Sequence, residues 1–151
     1  MTDSPLITDV DARGVATLTL NRPQVHNAFD ADLIARLGAE FAAFHRDYDL
    51  LLTPTQPTLP PTVETRYHSP EFDRWRHAAP YTVPFNLTGQ PAASIPCGVS
   101  HSGLPIGLQI VGPRFADHLV LRASRAFESA SQMPLAHPNL RASVEGLIAG
   151  N

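Results

Sequence analysis

Apolar and polar residues alternate at the start of the chain and then change period. Leu6 and Val10 flank polar positions, residues 11–14 carry turn chemistry, and Val15-Ala16-Thr17-Leu18-Thr19-Leu20 alternates again with β-branched residues. This pattern predicts a hairpin ending at Asn21-Arg22-Pro23. Beyond it Phe29, Leu33, Ile34, Leu37, Phe41 and Phe44 recur at spacings of three and four, which is one apolar face of a helix. Asn27 and Asp30 are its two candidate N-caps, and it is expected to run to about Arg46.

The second half of the chain is more broken. Residues 49–53 read as a short apolar strand, after which Pro54, Pro57, Pro60 and Pro61 impose an extended, irregular course to about Pro70. One or two helical turns are expected over residues 71–77, and another at Asn86-Leu87-Thr88, closed by Gly89. Residues 92–95 and 106–111 read as two strands joined through the turn residues Ser100-His101-Ser102-Gly103, hence an antiparallel hairpin. Asp117 is the expected cap of a last helix with Leu119, Val120, Ala123, Ala126 and Phe127 on its apolar face. The tail after Pro134 is polar and expected to be loosely held, with Val144, Leu147 and Ile148 suited to one more turn. The fold class is therefore α/β: a partial mixed sheet with flanking helices, an N-terminal β-hairpin plus helix and a C-terminal strand pair plus helix.

Composition narrows the chemistry. The chain of 151 residues is about one domain's worth, and its formal net charge of -3 with singly scattered basic residues gives no nucleic-acid-binding surface. No apolar run is long enough to span a bilayer, and acids stand near the N-terminus where a signal peptide carries positive charge; a cytoplasmic location is expected. The lone Cys97 leaves no partner for an intramolecular disulfide and is expected to be a buried small hydrophobe. All 11 basic residues counted as Lys or Arg are arginines. Arginine stays protonated, so a mechanism that needs a lysine base is closed to this chain alone.

Other candidate chemistry is weaker. The seven histidines (26, 45, 68, 77, 101, 118 and 137) show no zinc-like spacing, so neither a metal nor a cofactor is expected. Ser94 or Ser102 with His101 and Asp117 would supply the residue types of a triad, but no serine has the flanking glycines of a nucleophile elbow. The acid pairs Asp9/Asp11 and Asp30/Asp32 fit turn solvation and the positive end of a helix dipole.

Three ordered motifs carry a family resemblance: Tyr48-Asp49-Leu50-Leu51-Leu52-Thr53-Pro54-Thr55, then Phe85-Asn86-Leu87-Thr88-Gly89-Gln90-Pro91-Ala92, then Gly103-Leu104-Pro105-Ile106-Gly107-Leu108-Gln109-Ile110-Val111-Gly112. The region from about Tyr48 to Pro134 resembles the C-terminal part of amidase-signature hydrolases. In that family these pieces supply strands and a helix and help to wall the substrate channel, while a bridging serine, a serine nucleophile and a lysine base lie upstream. The resemblance therefore carries over no catalytic residue. Relatives that select glutamine place an aspartate shortly before the Tyr-Thr that precedes the asparagine; here the stretch reads Ala78-Ala79-Pro80-Tyr81-Thr82, which points to general amidases instead.

The first 45 residues carry a different resemblance. Gly14-Val15-Ala16-Thr17-Leu18-Thr19-Leu20-Asn21-Arg22-Pro23, followed by His26-Asn27-Ala28-Phe29, is similar to the N-terminal hairpin and first helix of enoyl-CoA hydratase/isomerase (crotonase) proteins. That resemblance implies a CoA-contacting turn at Val25, His26 and Ala28. It ends near Phe44, before any oxyanion-holding backbone or proton-moving glutamate of that family. A single-family reading of the same hairpin and helix stays open beside this hybrid one.

These resemblances imply three segments: residues 1–45 crotonase-like, 46–135 amidase-like, and 136–151 a tail. The first functional expectation is an amidase-like C–N hydrolase fragment without the Ser-Ser-Lys core, a fusion remnant inactive alone. The alternatives are a non-catalytic subunit completing an amidase whose catalytic half is another chain, and a CoA-ligand binding module. Expected partners are a second copy of the chain or a complementary amidase half, with neither nucleic acid nor membrane. Strands that lack their usual neighbours favour such association.

Overall fold

The computed structural model describes residues 4–59, 70 and 81–131. The helical turns expected at 71–77 and the tail at 136–151 lie outside the described residues. Strands β1 (Leu6–Val10) and β2 (Ala16–Leu20) pair antiparallel, with Leu6 opposite Leu20. Asp11 shapes the turn between them. Its carboxylate accepts the backbone N–H of Arg13 at 2.8 Å and of Val15 at 3.0 Å, together with the Arg13 guanidinium. The bond from the Arg13 side chain, then that from Val15, holds this carboxyl below its ordinary value.

A short 3-10 turn (Pro23–Val25) leads into helix α1 (Ala31–Phe44). Of the two candidate caps, Asp30 is the one used: its carboxylate accepts from the N–H of Leu33 at 3.0 Å and pairs with Arg22 at 2.6 Å. Asp32, in the first turn, pairs with Arg36 one turn on. The helix packs Leu33 and Leu37 on Leu6, with Leu20 and Phe41 beside them, and Leu33 is wholly buried. It ends two residues before the expected Arg46, because the chain turns there: the Phe44 ring stacks on Tyr48 at 4.8 Å and the His45 ring meets the Tyr48 carbonyl at 3.0 Å.

The second sheet is built from β3 (Leu51–Pro54), β4 (Ala92–Val99) and β5 (Pro105–Val111) in the order β3-β5-β4, both pairs antiparallel. Helix α2 (Val83–Thr88) precedes β4, and helix α3 (Asp117–Ala130) follows β5. The expected α/β class, with its hairpin plus helix and its strand pair plus helix, is present. Among the described residues the strands form two small sheets.

Residues in one cross-strand row share a face of the sheet. Leu52, Ile110 and Ala93 form one row and Pro54, Leu108 and Ile95 the next. On this face Ile95, Ile110 and Val120 of α3 form the second core, with Leu108, Ala123 and Phe127 packed against it. The buried face of α3 departs from the expected one. Ala126 is exposed, and Ser124 is buried because it lies one turn beyond Val120, where its hydroxyl donates back to the Val120 carbonyl at 2.8 Å. The cap differs as well: Ala116 occupies the N-cap without a side-chain bond, and Asp117 falls in the first turn.

Helix α2 starts earlier than the expected turn at Asn86. Pro84 sits in its first turn, where a missing N–H costs nothing, and Gly89 closes it with φ 73°. Strand β4 also runs past its expected end at Ile95, through Pro96 to Val99. Hydrogen-bond direction explains why it can. Thr55 N–H donates to Gly107 and Gly112 N–H donates to Pro91, and antiparallel strands alternate inward and outward groups. Pro54 of β3 and Pro96 of β4 therefore stand where an N–H would point away from β5, so neither breaks the ladder. Among the described residues nothing pairs with those outer edges.

Cys97 corrects an expectation. The register shifts between Pro96 and Gly98, leaving Cys97 without a cross-strand partner in a bulge, and the residue is exposed instead of buried.

Leu33→Ala is expected to destabilise the chain by about 2–5 kcal/mol in urea unfolding, whereas Leu121→Ala, on the exposed side of α3, should stay within about 0.5 kcal/mol. Equal small effects would contradict the core assigned to α1. Asp30 adds a pH dependence. Its bond from Leu33 N–H, then its charge pairing with Arg22, lowers its carboxyl from the ordinary 3.8. The stabilisation is complete above that value and is lost as pH falls through the lower folded one. Asp30→Asn should flatten the acid limb of a Tm-versus-pH profile relative to the parent; superimposable acid limbs would exclude this role.

Candidate functional site

The face of the second sheet turned away from α3 carries polar side chains. Thr53, Gln109 and Ser94 share one row, and Thr55 lies opposite Gly107 in the next. Gln109 is only 4% exposed, and its amide donates to the Thr53 hydroxyl at 2.9 Å and to the Tyr81 carbonyl at 2.8 Å. This amide ties the segment leading into α2 to the sheet and satisfies a buried polar group in doing so. Helix α2 is held from its other side by Phe85, whose ring lies 5.1 Å from that of Phe41 on α1.

Beside Gln109, the hydroxyls of Thr55 and Ser94 meet at 2.7 Å although 39 residues separate them. They meet over Gly107: a Cβ there would lie 2.7 Å from Thr55 Oγ1 and 3.0 Å from Ser94 Oγ. The loop after β3 and the β4–β5 pair then enclose a cleft of about 570 Å³, with Gln56, Pro57, Thr58 and Leu59 on one side and Ile95, Pro96, Pro105 and Ile106 on the other. Its size is that of a small-molecule site. None of the described residues lining it is ionisable.

Such an arrangement can bind and orient. A hydroxyl becomes a nucleophile only beside a base, and among the described residues the Thr55–Ser94 pair offers each oxygen only another hydroxyl. The triad suggested by residue types does not assemble: Ser94 bonds to Thr55, and Ser102 bonds to Ser100 at 2.9 Å in the β4–β5 turn. Asp11 and Asp30 are engaged in turn and cap bonds, as their acid-pair pattern implied. Among the described residues no three His, Cys, Asp or Glu side chains gather to hold a metal, and no helix is long and apolar enough to cross a membrane.

Val25, His26 and Ala28, the residues of the CoA-type turn, lie elsewhere, on the turn before α1. His26 and Asn27 adopt φ 52° and 54°. The turn is closed by its own chain: Asn27 Oδ1 accepts from Arg22 N–H at 2.7 Å, and the Arg22 guanidinium donates to the Ala28 carbonyl at 2.9 Å. Asn21 reaches back to the Ser4 carbonyl at 3.1 Å. The residues that carry the crotonase resemblance thus have a local structural role here.

Sequence reading missed Thr55, Ser94 and Gly107 as a group. The available signal was a glycine inside a strand pattern, which marks a close approach by another group; its partners come from two other segments and could not be named without the fold.

Likeness to known proteins extends across both parts of the chain. The family profile described as Amidase matches residues 19–121, about two thirds of the chain. The match crosses the expected segment boundary at 45/46 and includes the turn and α1; it lends the crotonase resemblance no support. Curated relatives include a glutamyl-tRNA(Gln) amidotransferase subunit of Clostridium acetobutylicum, 45% identical over 59% of this chain and 18% of that protein. The corresponding amidotransferase subunit of Ligilactobacillus salivarius is 40% identical over 67% of this chain and 20% of its own length. Among solved structures, the glutamyl-tRNA(Gln) amidotransferase subunit of Thermotoga maritima superposes with a TM-score of 0.59 at 35% identity, over 66% of this chain and 21% of that one. A bacterial aryl acylamidase gives 0.54 at 30% identity, over 67% and 22%. Overall likeness therefore does not follow the general-amidase branch that Ala78 to Thr82 suggested, since the amidotransferase subunits share more identity with this chain. The chain spans about a fifth of the length of the curated relatives it matches. On the extent of the profile match, the chain belongs to the amidase family.

Proposed function

We propose that this chain forms the sheet and channel wall of an amidase and has no amide hydrolysis of its own. The observation that carries this reading is the cleft over Gly107, where two hydroxyls meet without an ionisable side chain among the described lining residues. The sequence adds a second support, since its 11 Lys and Arg positions contain no lysine. In the amidase resemblance the base that activates serine is a lysine, and arginine does not replace it. The hybrid origin belongs to the same proposal. It keeps the join expected near 45/46, although the profile match runs across that boundary and gives the crotonase-like segment no support.

A second reading is that another chain supplies the catalytic half. Phe115 favours it. This residue holds φ 65°, stands 84% exposed and is flanked by the Arg114 guanidinium 5.1 Å from its ring centroid. A bulky residue in left-handed backbone costs about 1–2 kcal/mol, and an exposed aromatic beside an arginine is the composition of an interface anchor. The names of the amidotransferase relatives, which describe subunits, are in keeping with such an assembly.

Purified chain incubated with a simple aryl amide should release no arylamine above the buffer rate; hydrolysis that tracks the protein through purification would end the non-catalytic reading. For the second reading, the chain is mixed with an amidase polypeptide cut before the segment the two share. Activity should appear only in the mixture and fall at least about tenfold with Phe115→Ser, an anchor loss of about 1.4 kcal/mol or more. A mixture inactive at every ratio would reject the partner.

A further inference from the structure

We propose that the outer edge of β2 is a self-association surface, on which a second copy of this chain adds its own β2 antiparallel to form a closed dimer. Most of the hairpin precedes residue 19, where the match to the amidase family begins. The inference therefore goes beyond the amidase reading and does not depend on it.

The outer strand edges differ in how they are guarded. An open edge presents unpaired N–H and C=O groups to any extended chain, and proline, charge or a bulge blunts it. Pro54 stands on the outer edge of β3, and Pro96 with the bulge at Cys97 on that of β4. Strand β1 carries Asp9, and the Ser4 hydroxyl donates to its outward Leu6 carbonyl. Strand β2 has none of these devices. Val15-Ala16-Thr17-Leu18-Thr19-Leu20 holds no charge, no proline and no glycine, and every second residue is β-branched. That composition favours strand-to-strand pairing between copies.

Hydrogen-bond parity sets the register. Asp11 N–H donates to Val15 and Asn21 N–H donates to Pro5. Thr17 and Thr19 therefore bond toward β1, and the backbone groups of Ala16, Leu18 and Leu20 point outward. Among the described residues none of these outward groups has a partner. A two-fold axis at Leu18 sets Leu18 opposite its copy and Ala16 opposite the partner's Leu20, so all three outward residues are paired. Moving the axis to Thr17 or Thr19 loses a pair, because the replacement donors are taken: Gly14 N–H bonds to Asp11 and Arg22 N–H to Asn27.

The same geometry covers apolar surface. Leu6, Val10, Leu18 and Leu20 share the face toward α1, yet Leu33 and Leu37 pack only on the Leu6–Leu20 row. Leu18 and Val10 stay 37% and 61% exposed. An axis perpendicular to the sheet keeps this face common to both copies. The uncovered Ala16 end of each β2 then lies beside the partner's Leu20 and the core that α1 builds on it. Pairing consumes the one unguarded edge among the described residues, which closes the assembly at two copies.

The test is sedimentation equilibrium of the whole purified chain over an about hundredfold concentration range, where a dimer fraction rises by mass action. A monomer–dimer equilibrium is expected. Thr17 and Thr19 are exposed on the face away from α1, and each lies opposite the other across the axis. Thr17→Lys with Thr19→Lys should weaken the dimer at least about tenfold, about 1.4 kcal/mol, through like charges set face to face. Thr17→Lys with Thr19→Glu sets opposite charges there and should restore the parent dissociation constant within about threefold. A monomer at every concentration or assembly beyond the dimer would overturn the inference. So would a like-charge variant that dimerises as the parent does, or an opposite-charge variant as weak as the like-charge one.

Discussion

Strand β5 is hydrogen-bonded on both sides, to β3 through residues 107, 109 and 111 and to β4 through residues 108, 110 and 112. This two-sided pairing is the constraint from which the second half of the molecule follows. It sends Ile110 and Leu108 toward α3 and Gln109 toward the opposite face, because successive side chains of a strand alternate. It also joins the strand at residues 51–54 to β4 and β5, far along the chain, closing a long loop whose entropy only a buried, well-paired strand offsets.

The two faces then divide the work. The face under α3 is apolar, and its burial at Ile95, Ile110 and Val120 stabilises the sheet, while Leu52 on the β3 edge stays exposed. The other is polar and open, and there Gln109 anchors the segment before α2 while Thr55 and Ser94 meet over Gly107. A larger side chain at Gly107 would push the two hydroxyls apart and fill the floor of the cleft. One residue thus connects strand packing to whatever ligand the cleft receives.

At the N-terminus, a structural account replaces much of the functional one. Asn21, Arg22 and Asn27 look like a family signature along the chain, yet Asn21 ties back to Ser4, Arg22 and Asn27 close the turn, and Arg22 also pairs with the cap residue Asp30. Turn residues recur across unrelated folds because few side chains tolerate positive φ or cap a helix. The profile match beginning at Thr19 draws α1 into the amidase part of the chain.

The sequence by itself determined the element types and most of their order, since periodicity reports burial on one side of a helix or strand. It placed the first hairpin, the apolar face of α1 at Leu33 and Leu37, the glycine closing α2 and the family to which the chain belongs. It misjudged Cys97 and Ala126 and left Ser124 out, where a bulge or the rotation of a helix on its sheet decides burial, and neither is visible in local pattern. It gave no hint that two prolines occupy outward-facing edge positions, because edge status depends on which strands pair. The cleft was decided by tertiary structure alone: Thr55, Ser94 and Gly107 come from three separate segments, and only the register of β5 between β3 and β4 brings two hydroxyls within 2.7 Å of each other.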